Sequence, residues 1–425
     1  MGFTGVKRLK SKPRGELVAA LDIGTTKIVC FIARIDDAGE PRIIGIGHQV
    51  SKGLRAGAIV DMEAAETAIA HAVHAAEQMA GETVREVIVN LSGGHPSSQT
   101  LSVDVSIAGH AVSDADLRRV LRAHTQAEVP SDSRILHAIP VNYTIDGNTG
   151  IRDPRGMFGD RLGVNLHVVT AALSPLRNLQ TCIHRCHLEV ETFVVSPYAA
   201  GMAALVSDEM DLGCTVIDMG GGTTGISVFL DGRMVFADCI PCGGVHVTND
   251  IARGLTTPVA QAERMKTLYG SCTPSVSDER ELIDVPQVGE DEPSQANHVP
   301  RSLLTGIIQP RIEEIFELVR SRLEASGFDK AAGRRVVLTG GASQLTGVRD
   351  LAQLVLDKQV RQGRPIGLPG LAEATGGPAF STATGLLLHA VRNQGDLALG
   401  GGGGGEEEPA AGVWSRLGGW FRDNL

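Results

Sequence analysis

The chain has 425 residues and a net charge of −10, with 42% hydrophobic and 21% charged residues. Its length predicts two or more lobes rather than one core, and the acidic balance excludes a surface built for nucleic acid. Seven cysteines without a disulfide-like spacing, and no run near the roughly 18 apolar residues of a membrane span, predict a cytosolic, reducing setting.

The start, Met1 to Gly15, is basic but lacks the apolar run of a secretory signal, and its myristoylation pattern is incomplete at the Ser/Thr position. It reads as an N-terminal extension, residues 1–16, either disordered or in weak contact with lipid phosphates. "LVAALDIGTTKIVC" (Leu17–Cys30) predicts strand, glycine turn, strand, and "RIIGIGHQV" a third strand. Met62–Met79 places apolar residues and alanines at helical spacing. "VREVIVNL" is a buried-type strand. From about Arg85 to Asn165 the texture shifts to short β-like runs, one helix over Ala115–Gln126 and turn signals such as "DGNTG", which predicts an inserted subdomain. Leu166–Leu173 returns to core-strand character, and "SPLRNLQTCIHRCHL" to a helix. "CTVIDMGGGTTGISVFLDGRMVFADCIP" then repeats the opening scheme, so one device occurs twice and two similar lobes are predicted to face each other. The polar, acidic stretch from Cys272 to Val299 reads as a loop. Ile307–Leu323 predicts a long amphipathic helix, and "RRVVLTGGASQLTGV" a third strand–glycine–helix unit. After Arg392 periodicity is lost, and Gly400–Gly405 with Glu406–Glu408 reads as linker.

The glycine turns suit phosphate. Phosphate oxygens need several N–H donors, and glycine lets the backbone close in. In Asp218-Met-Gly220-Gly221-Gly222-Thr223-Thr224 the threonines add hydroxyls, and Asp218 ends a strand where a carboxylate can hold hydrated Mg²⁺. Asp22-Ile-Gly24-Thr25-Thr26-Lys27 offers the same set from the other lobe, with Lys27 adding a cation. The strand-turn-strand setting differs from a P-loop, and GxxxxGK[ST] is missing. Gly340 and Gly341 follow the third strand, where amides can approach a ribose or phosphate.

These motifs resemble the actin-like ATPase superfamily: "ALDIGTTK" and "VIDMGGGTTGISVF" its phosphate motifs, "VVLTGGASQLTGV" its adenosine motif, and "SPYAAGMAAL" and "FSTATGLLLHA" its connecting helices. "LSGGHPSSQ", "LHAIPVNYTIDGNTGIRDPRGMFG" and "IPCGGVHVTNDIARGL" narrow the resemblance to the FtsA family of bacterial cell division proteins, over about Val18–Arg392. The resemblance implies an α/β, two-lobed, duplicated actin-like fold with an FtsA-type inserted subdomain and a flexible C-terminal amphipathic helix. Lobe 1 would take residues 17–84, 166–210 and 375–395, with the insertion at 85–165. Lobe 2 would take 211–245 and 323–374, with a subdomain at 246–322 that contains the acidic loop 272–299. Residues 396–411 would be linker and 412–425 the terminal helix. ATP with Mg²⁺ is the implied ligand, with Asp22 and Asp218 holding the metal through water and Glu263, Lys266, Gly340, Gly341 and Ser343 at the adenosine. The family implies a filament-forming adaptor that ties the tubulin-like FtsZ to the inner membrane at the division septum, alongside other divisome proteins. "PRIEE" lies where the FtsA helix receives the FtsZ C-terminal peptide, which nominates Arg311 and Glu314. Where some relatives position the attacking water with an acidic residue or glutamine, this chain has Val195-Ser196-Pro197-Tyr198, so slow hydrolysis at most is expected.

Both tryptophans of the chain lie at its end. On a helix, Val413, Trp414, Leu417, Trp420, Phe421 and Leu425 share one face, with Arg416 and Arg422 able to reach headgroups. Gly418 and Gly419 weaken that helix by roughly 1 kcal/mol each in water, so it should fold where a surface accepts its face, as on a membrane. Docking on the chain's own body or on a partner groove is the alternative. Cys182, His184, Cys186 and His187, and Cys239 with Cys242, read as core positions rather than metal sites. The competing function is a small-molecule kinase or phosphatase of the same superfamily, which needs a general base and substrate cleft for which no residue stands out. A chaperone needs a substrate domain after Arg392, and a rod-shape filament protein lacks the insertion.

Overall fold

The computed structural model describes residues 13–122, 129–289 and 297–392. In lobe 1, β1 (Leu17–Ile23), β2 (Lys27–Ile35) and β3 (Pro41–Val50) form an antiparallel meander. The short hairpin β4 (Leu54–Arg55)–β5 (Ala58–Ile59) leads into α1 (Met62–Ala80), and β6 (Glu86–Leu91) returns parallel to β1. The insertion follows: β7 (Ser97–Ser106), α2 (Asp114–Arg122), β8 (Ser133–Ile145), β9 (Asn148–Ile151) and β10 (Arg161–Ala172), with its sheet ordered β7-β10-β8-β9. Helix α3 (Leu173–Arg185) and β11 (Glu189–Val195) complete lobe 1, and α4 (Ser196–Ala204) and α5 (Ser207–Leu212) cross to lobe 2.

Lobe 2 opens with the meander β12 (Cys214–Met219), β13 (Thr224–Leu230) and β14 (Arg233–Ile240). Helices α6 (Gly244–Gly254) and α7 (Val259–Tyr269), the hairpin strands β15 (Leu282–Val285) and β16 (Asn297–Pro300), and α8 (Arg301–Ser326) follow. The described residues close with α9 (Phe328–Ala331), β17 (Arg335–Thr339), α10 (Val348–Leu356), β18 (Gln359–Gln362) and α11 (Ser381–Arg392). The two large sheets run β11-β6-β1-β2-β3 and β14-β13-β12-β17-β18. Each is an antiparallel meander whose first strand pairs with a parallel strand, which in turn pairs with a second, so the duplication seen in the motifs extends to the topology.

Strand β2, "KIVCFIARI", is buried along nearly its whole length because helices cover both faces of its sheet. Helix α1 starts on the Asp61 side chain, which accepts from the Ala64 amide, and ends at Gly81 in the left-handed region. Its alanine face lies so close to β3 that a Cβ on Gly47 would stand 1.8 Å from the Ala72 carbonyl oxygen. Between the lobes, α4 and α11 cross with the same intimacy: a Cβ on Gly385 would stand 1.7 Å from the Ala199 carbonyl oxygen.

Several sequence expectations shift. Strand β6 belongs to the lobe 1 sheet, so the insertion begins after residue 91 rather than at 85. Leu166–Ala172 is the second half of β10, paired on both sides within the insertion rather than in lobe 1; a strand covered on both edges and packed on a helix is as apolar as a lobe strand. The acidic stretch holds the β15–β16 hairpin, since alternating Ile283 and Val285 bury one face. Helix α8 is longer than 307–323 and carries Pro310 inside it. Gly341 opens a 3₁₀ turn, Gly341–Gln344, rather than an α-helix. Residues 1–12 and 393–425, with the linker and the nominated Val413, Trp414, Arg416, Leu417, Trp420, Phe421 and Arg422, lie outside the described residues.

Candidate nucleotide site

The two glycine turns are superimposable in their bonding. The Gly24 amide donates to the Lys27 carbonyl and the Gly220 amide to the Thr223 carbonyl, both at 2.9 Å. Asp22 and Asp218 sit at the same position in their hairpins, opposite Val29 and Gly225. The tips meet across the cleft: a Cβ on Gly221 would lie 2.3 Å from Thr26 Cγ2, and one on Gly222 2.4 Å from Thr25 Oγ1. Glycine is therefore required at both places for the hairpins to close on one another.

From these tips a cavity of about 460 Å³ runs along lobe 2. Its lining includes Thr26 and Gly221 of the hairpins, Gly244 and Val245 at the start of α6, and Glu263, Lys266 and Gly341. Its size falls in the range of small-molecule sites. Lys266 Nζ is held by three acceptors, the Gly244 carbonyl at 3.1 Å, Thr248 Oγ1 at 2.9 Å and Glu263 Oε2 at 2.7 Å. The amides of Gly244 and Val245 donate to the Gly220 and Gly221 carbonyls, which fixes α6 against the second hairpin.

Two nominated side chains are turned elsewhere. Thr224 Oγ1 donates to the Cys242 carbonyl at 2.8 Å, because β13 points it into lobe 2. Ser343 is buried and donates to the Gly340 carbonyl at 2.8 Å, closing the 3₁₀ turn rather than lining the cavity. Gly340 adopts φ 85° and packs on Asp218.

Below the tips lies the charged floor. Asp22 is buried and Asp218 half-buried, with Lys27 Nζ 3.8 Å from Asp22 Oδ2. Burial, and then the neighbouring Asp22, push the Asp218 carboxyl up to about 7, opposed by a hydrogen bond from Thr382 Oγ1 at 3.1 Å. Burial raises Asp22 against the pull of Lys27, and lowers the Lys27 ammonium against the pull of both aspartates. Two neighbouring carboxylates that resist joint ionisation fit a divalent cation. They are too few to form a cage, and among the described residues no group of three His, Cys, Asp or Glu could hold a metal directly. Such a pair suits Mg²⁺ that keeps its waters and takes phosphate oxygens.

Sequence reasoning missed Thr382, Gly244 and Val245. Thr382 was read only as part of a connecting helix, although a hydroxyl at a helix start is a ready donor. At the first connecting segment, Ser196 Oγ bonds Ser92 Oγ at 2.7 Å and accepts from Asn90 Nδ2 at 3.1 Å, and the Pro197 carbonyl accepts from Ser227. The cysteines are packing groups: Cys182 and Cys186 face the Met62 and Glu66 carbonyls of α1, and Cys239 donates to the Ser92 carbonyl. Arg311 is engaged within the fold, Nε to Asp250 Oδ2 at 2.5 Å, Nη2 to Oδ1 at 3.2 Å, and Nη1 to Glu314.

Comparison with known proteins agrees with this architecture. A family model described as cell division protein FtsA matches residues 215–385, and one described as the SHS2 domain inserted in FTSA matches residues 93–170. A cell division protein FtsA of Rhizobium meliloti is 46% identical over 99% of this chain and 98% of its own length. One of Pseudomonas aeruginosa is 35% identical over 98% and 100%, and one of Escherichia coli 34% identical over 88% and 90%. Among solved structures, a PilM-PilN type IV pilus biogenesis complex superposes with a TM-score of 0.62 at 18% identity, covering 89% of this chain and 100% of that one. MreB5 of Spiroplasma citri bound to ADP superposes at 0.54 with 14% identity, covering 90% and 98%. The solved structures show the actin-like fold; the full-length likeness at 34–47% identity shows more, and the chain belongs to the FtsA family of cell division proteins.

Proposed function

We propose that the chain is an ATP-binding, filament-forming adaptor that tethers FtsZ to the cytoplasmic face of the inner membrane and helps assemble the division ring at the septum. The observation that carries the ligand is the pair of matched hairpins opening on one cavity lined by Glu263, Lys266 and Gly341. The phosphates would lie at the Thr25–Lys27 and Gly220–Thr223 tips, with Mg²⁺ held through water by Asp22 and Asp218, and the adenosine between α7 and the 3₁₀ turn. That the MreB5 structure, on the same fold, is bound to ADP supports a nucleotide as the ligand. The metal supplies charge neutralisation for the phosphates. Hydrolysis would be slow at most, because Val195-Ser196-Pro197-Tyr198 puts no acidic residue or glutamine in the first connecting segment to position the attacking water.

The membrane contact is the amphipathic end, Val413–Leu425. No helix of the described residues is long and apolar enough to cross a membrane. A single weak foot becomes firm when filaments present many. The FtsZ contact is assigned to the α6–α8 face around Arg311 and Glu314. Since Arg311→Glu would set a third carboxylate beside Asp250, Arg311→Gln with a check of folding is the cleaner probe. The deciding experiment is co-sedimentation with anionic liposomes in ATP and Mg²⁺, with and without FtsZ, of the full chain and of one ending at Glu408. The full chain should pellet and carry FtsZ down while the shortened chain does neither; both chains staying in solution would reject the tether.

A further inference from the structure

Five consecutive residues, Pro378 to Thr382, touch both sides of the cleft floor. Toward lobe 2, the Gly340 amide donates to the Pro378 carbonyl at 3.1 Å, Thr339 Oγ1 pairs with Ser381 Oγ at 2.7 Å, and Thr382 reaches Asp218. Toward lobe 1, Lys27 Nζ donates to the Ala379 carbonyl and stands 4.2 Å from the centre of the Phe380 ring. The ring is itself fixed, stacked on Phe31 at 6.3 Å and met edge-on by His48 at 5.8 Å. Lys27 thus adds a charged lobe 1 contact to this turn, beside the ring contacts of Phe31 and His48, and its chain neighbour Thr26 lines the cavity.

We propose that the turn holds Lys27 in a docked position from which a nucleotide phosphate must draw it, so that Phe380 tunes nucleotide affinity and the turn relays occupancy between the lobes. The inference rests on the nucleotide reading above. A ring face and a carbonyl oxygen attract an ammonium, and a phosphate attracts it more strongly because it carries full charge. Observed affinity is the difference between these two states, so strengthening the docked state weakens binding. Once Lys27 leaves, the bonds to Thr339, Gly340 and Asp218 remain, and lobe 1 holds the turn through the contacts of the Phe380 ring with Phe31 and His48 rather than through the ammonium. Nucleotide would thereby alter how the lobes are joined without entering the core.

The test is calorimetric titration of Mg-ATP and Mg-ADP into the full chain, as wild type, Phe380→Leu, Lys27→Met and the double variant. A ring's loss should tighten nucleotide binding roughly three- to ten-fold, Lys27→Met should weaken it, and Phe380→Leu should have no effect once Lys27 is gone. Replacing Phe380 with 4-fluoro- and then 3,4,5-trifluorophenylalanine keeps the shape and drains the ring face, so affinity should rise stepwise. The fluorine resonances should move when nucleotide is added, as the ammonium departs. A wild type that binds nucleotide while the fluorinated series stays flat, or a Phe380→Leu effect that persists in Lys27→Met, overturns the docking and leaves the nucleotide reading intact. A wild type that binds no nucleotide overturns the nucleotide reading, and the docking with it.

Discussion

Asp218 is a residue whose chemistry the fold alters strongly. Its carboxyl is held at about 7 by burial and by Asp22, against an ordinary value of 3.8. The folded chain therefore favours the protonated form more than the unfolded chain does. The stability tied to that proton is complete below about pH 4 and is lost as pH rises toward about 7. Nucleotide-free Asp218→Asn should lose less thermal stability than wild type between about pH 5 and 7.5, and parallel melting curves would count against the assignment. Lys266 makes a different prediction. Its three acceptors order Gly244, Thr248 and Glu263 around the cavity, so Lys266→Met should weaken nucleotide binding about tenfold, the worth of one charge-assisted hydrogen bond, as read by fluorescent-nucleotide titration. The hairpin residues were legible in the sequence because an acidic residue, glycines and threonines recurred in the same order. Thr224 and Ser343 were misread because a motif gives spacing along the chain, whereas the direction of a hydroxyl depends on which face of a strand or turn is buried.

Among the elements, contacts without side chains set the geometry. Gly47 lets α1 settle on β3, and Gly385 lets α11 settle on α4. An added methyl at either place meets backbone, which cannot swing aside, so Gly47→Ala and Gly385→Ala should each cost about 2–3 kcal/mol in urea unfolding. Losses under about 0.5 kcal/mol would show that the helices shift at little expense. Helix α1 was readable from periodicity, and β1 and β12 were readable because each is short, apolar and ended by glycine. The membership of strands was not readable. Leu166–Ala172 carries the composition of a lobe strand, and only its pairing with β7 and β8 assigns it to the insertion. The small β15–β16 hairpin was hidden for a related reason, since two buried residues in an acidic setting give a weak alternation.

At the scale of the whole molecule, the insertion is joined to lobe 2 as well as to the lobe that carries it. His167 is buried, with Nδ1 3.0 Å from the Met234 carbonyl and Nε2 2.9 Å from Ser98 Oγ, and the Ala237 amide donates to the same Ser98 oxygen. These bonds hold β14, the edge strand whose end, Ile240, pairs with Thr224 beside the second hairpin. Ser98→Ala leaves those polar groups short of a partner, at about 1–3 kcal/mol. Amide exchange should quicken in β14 and β7 while lobe 1 keeps its protection; a uniform change would mean that the contact stabilises the molecule globally. The insertion also leaves and rejoins lobe 1 at almost one point, where the Ala172 amide donates to the Gly94 carbonyl at 2.9 Å. About eighty residues therefore intervene between β6 and α3 without separating them in space. The entropic toll of bringing β6 beside β11 depends on the length of free chain between them. If the insertion folds first, that free chain shrinks to a few residues before it and the α3 segment after it, and the lobe 1 sheet assembles as though the insertion were a single turn ahead of α3.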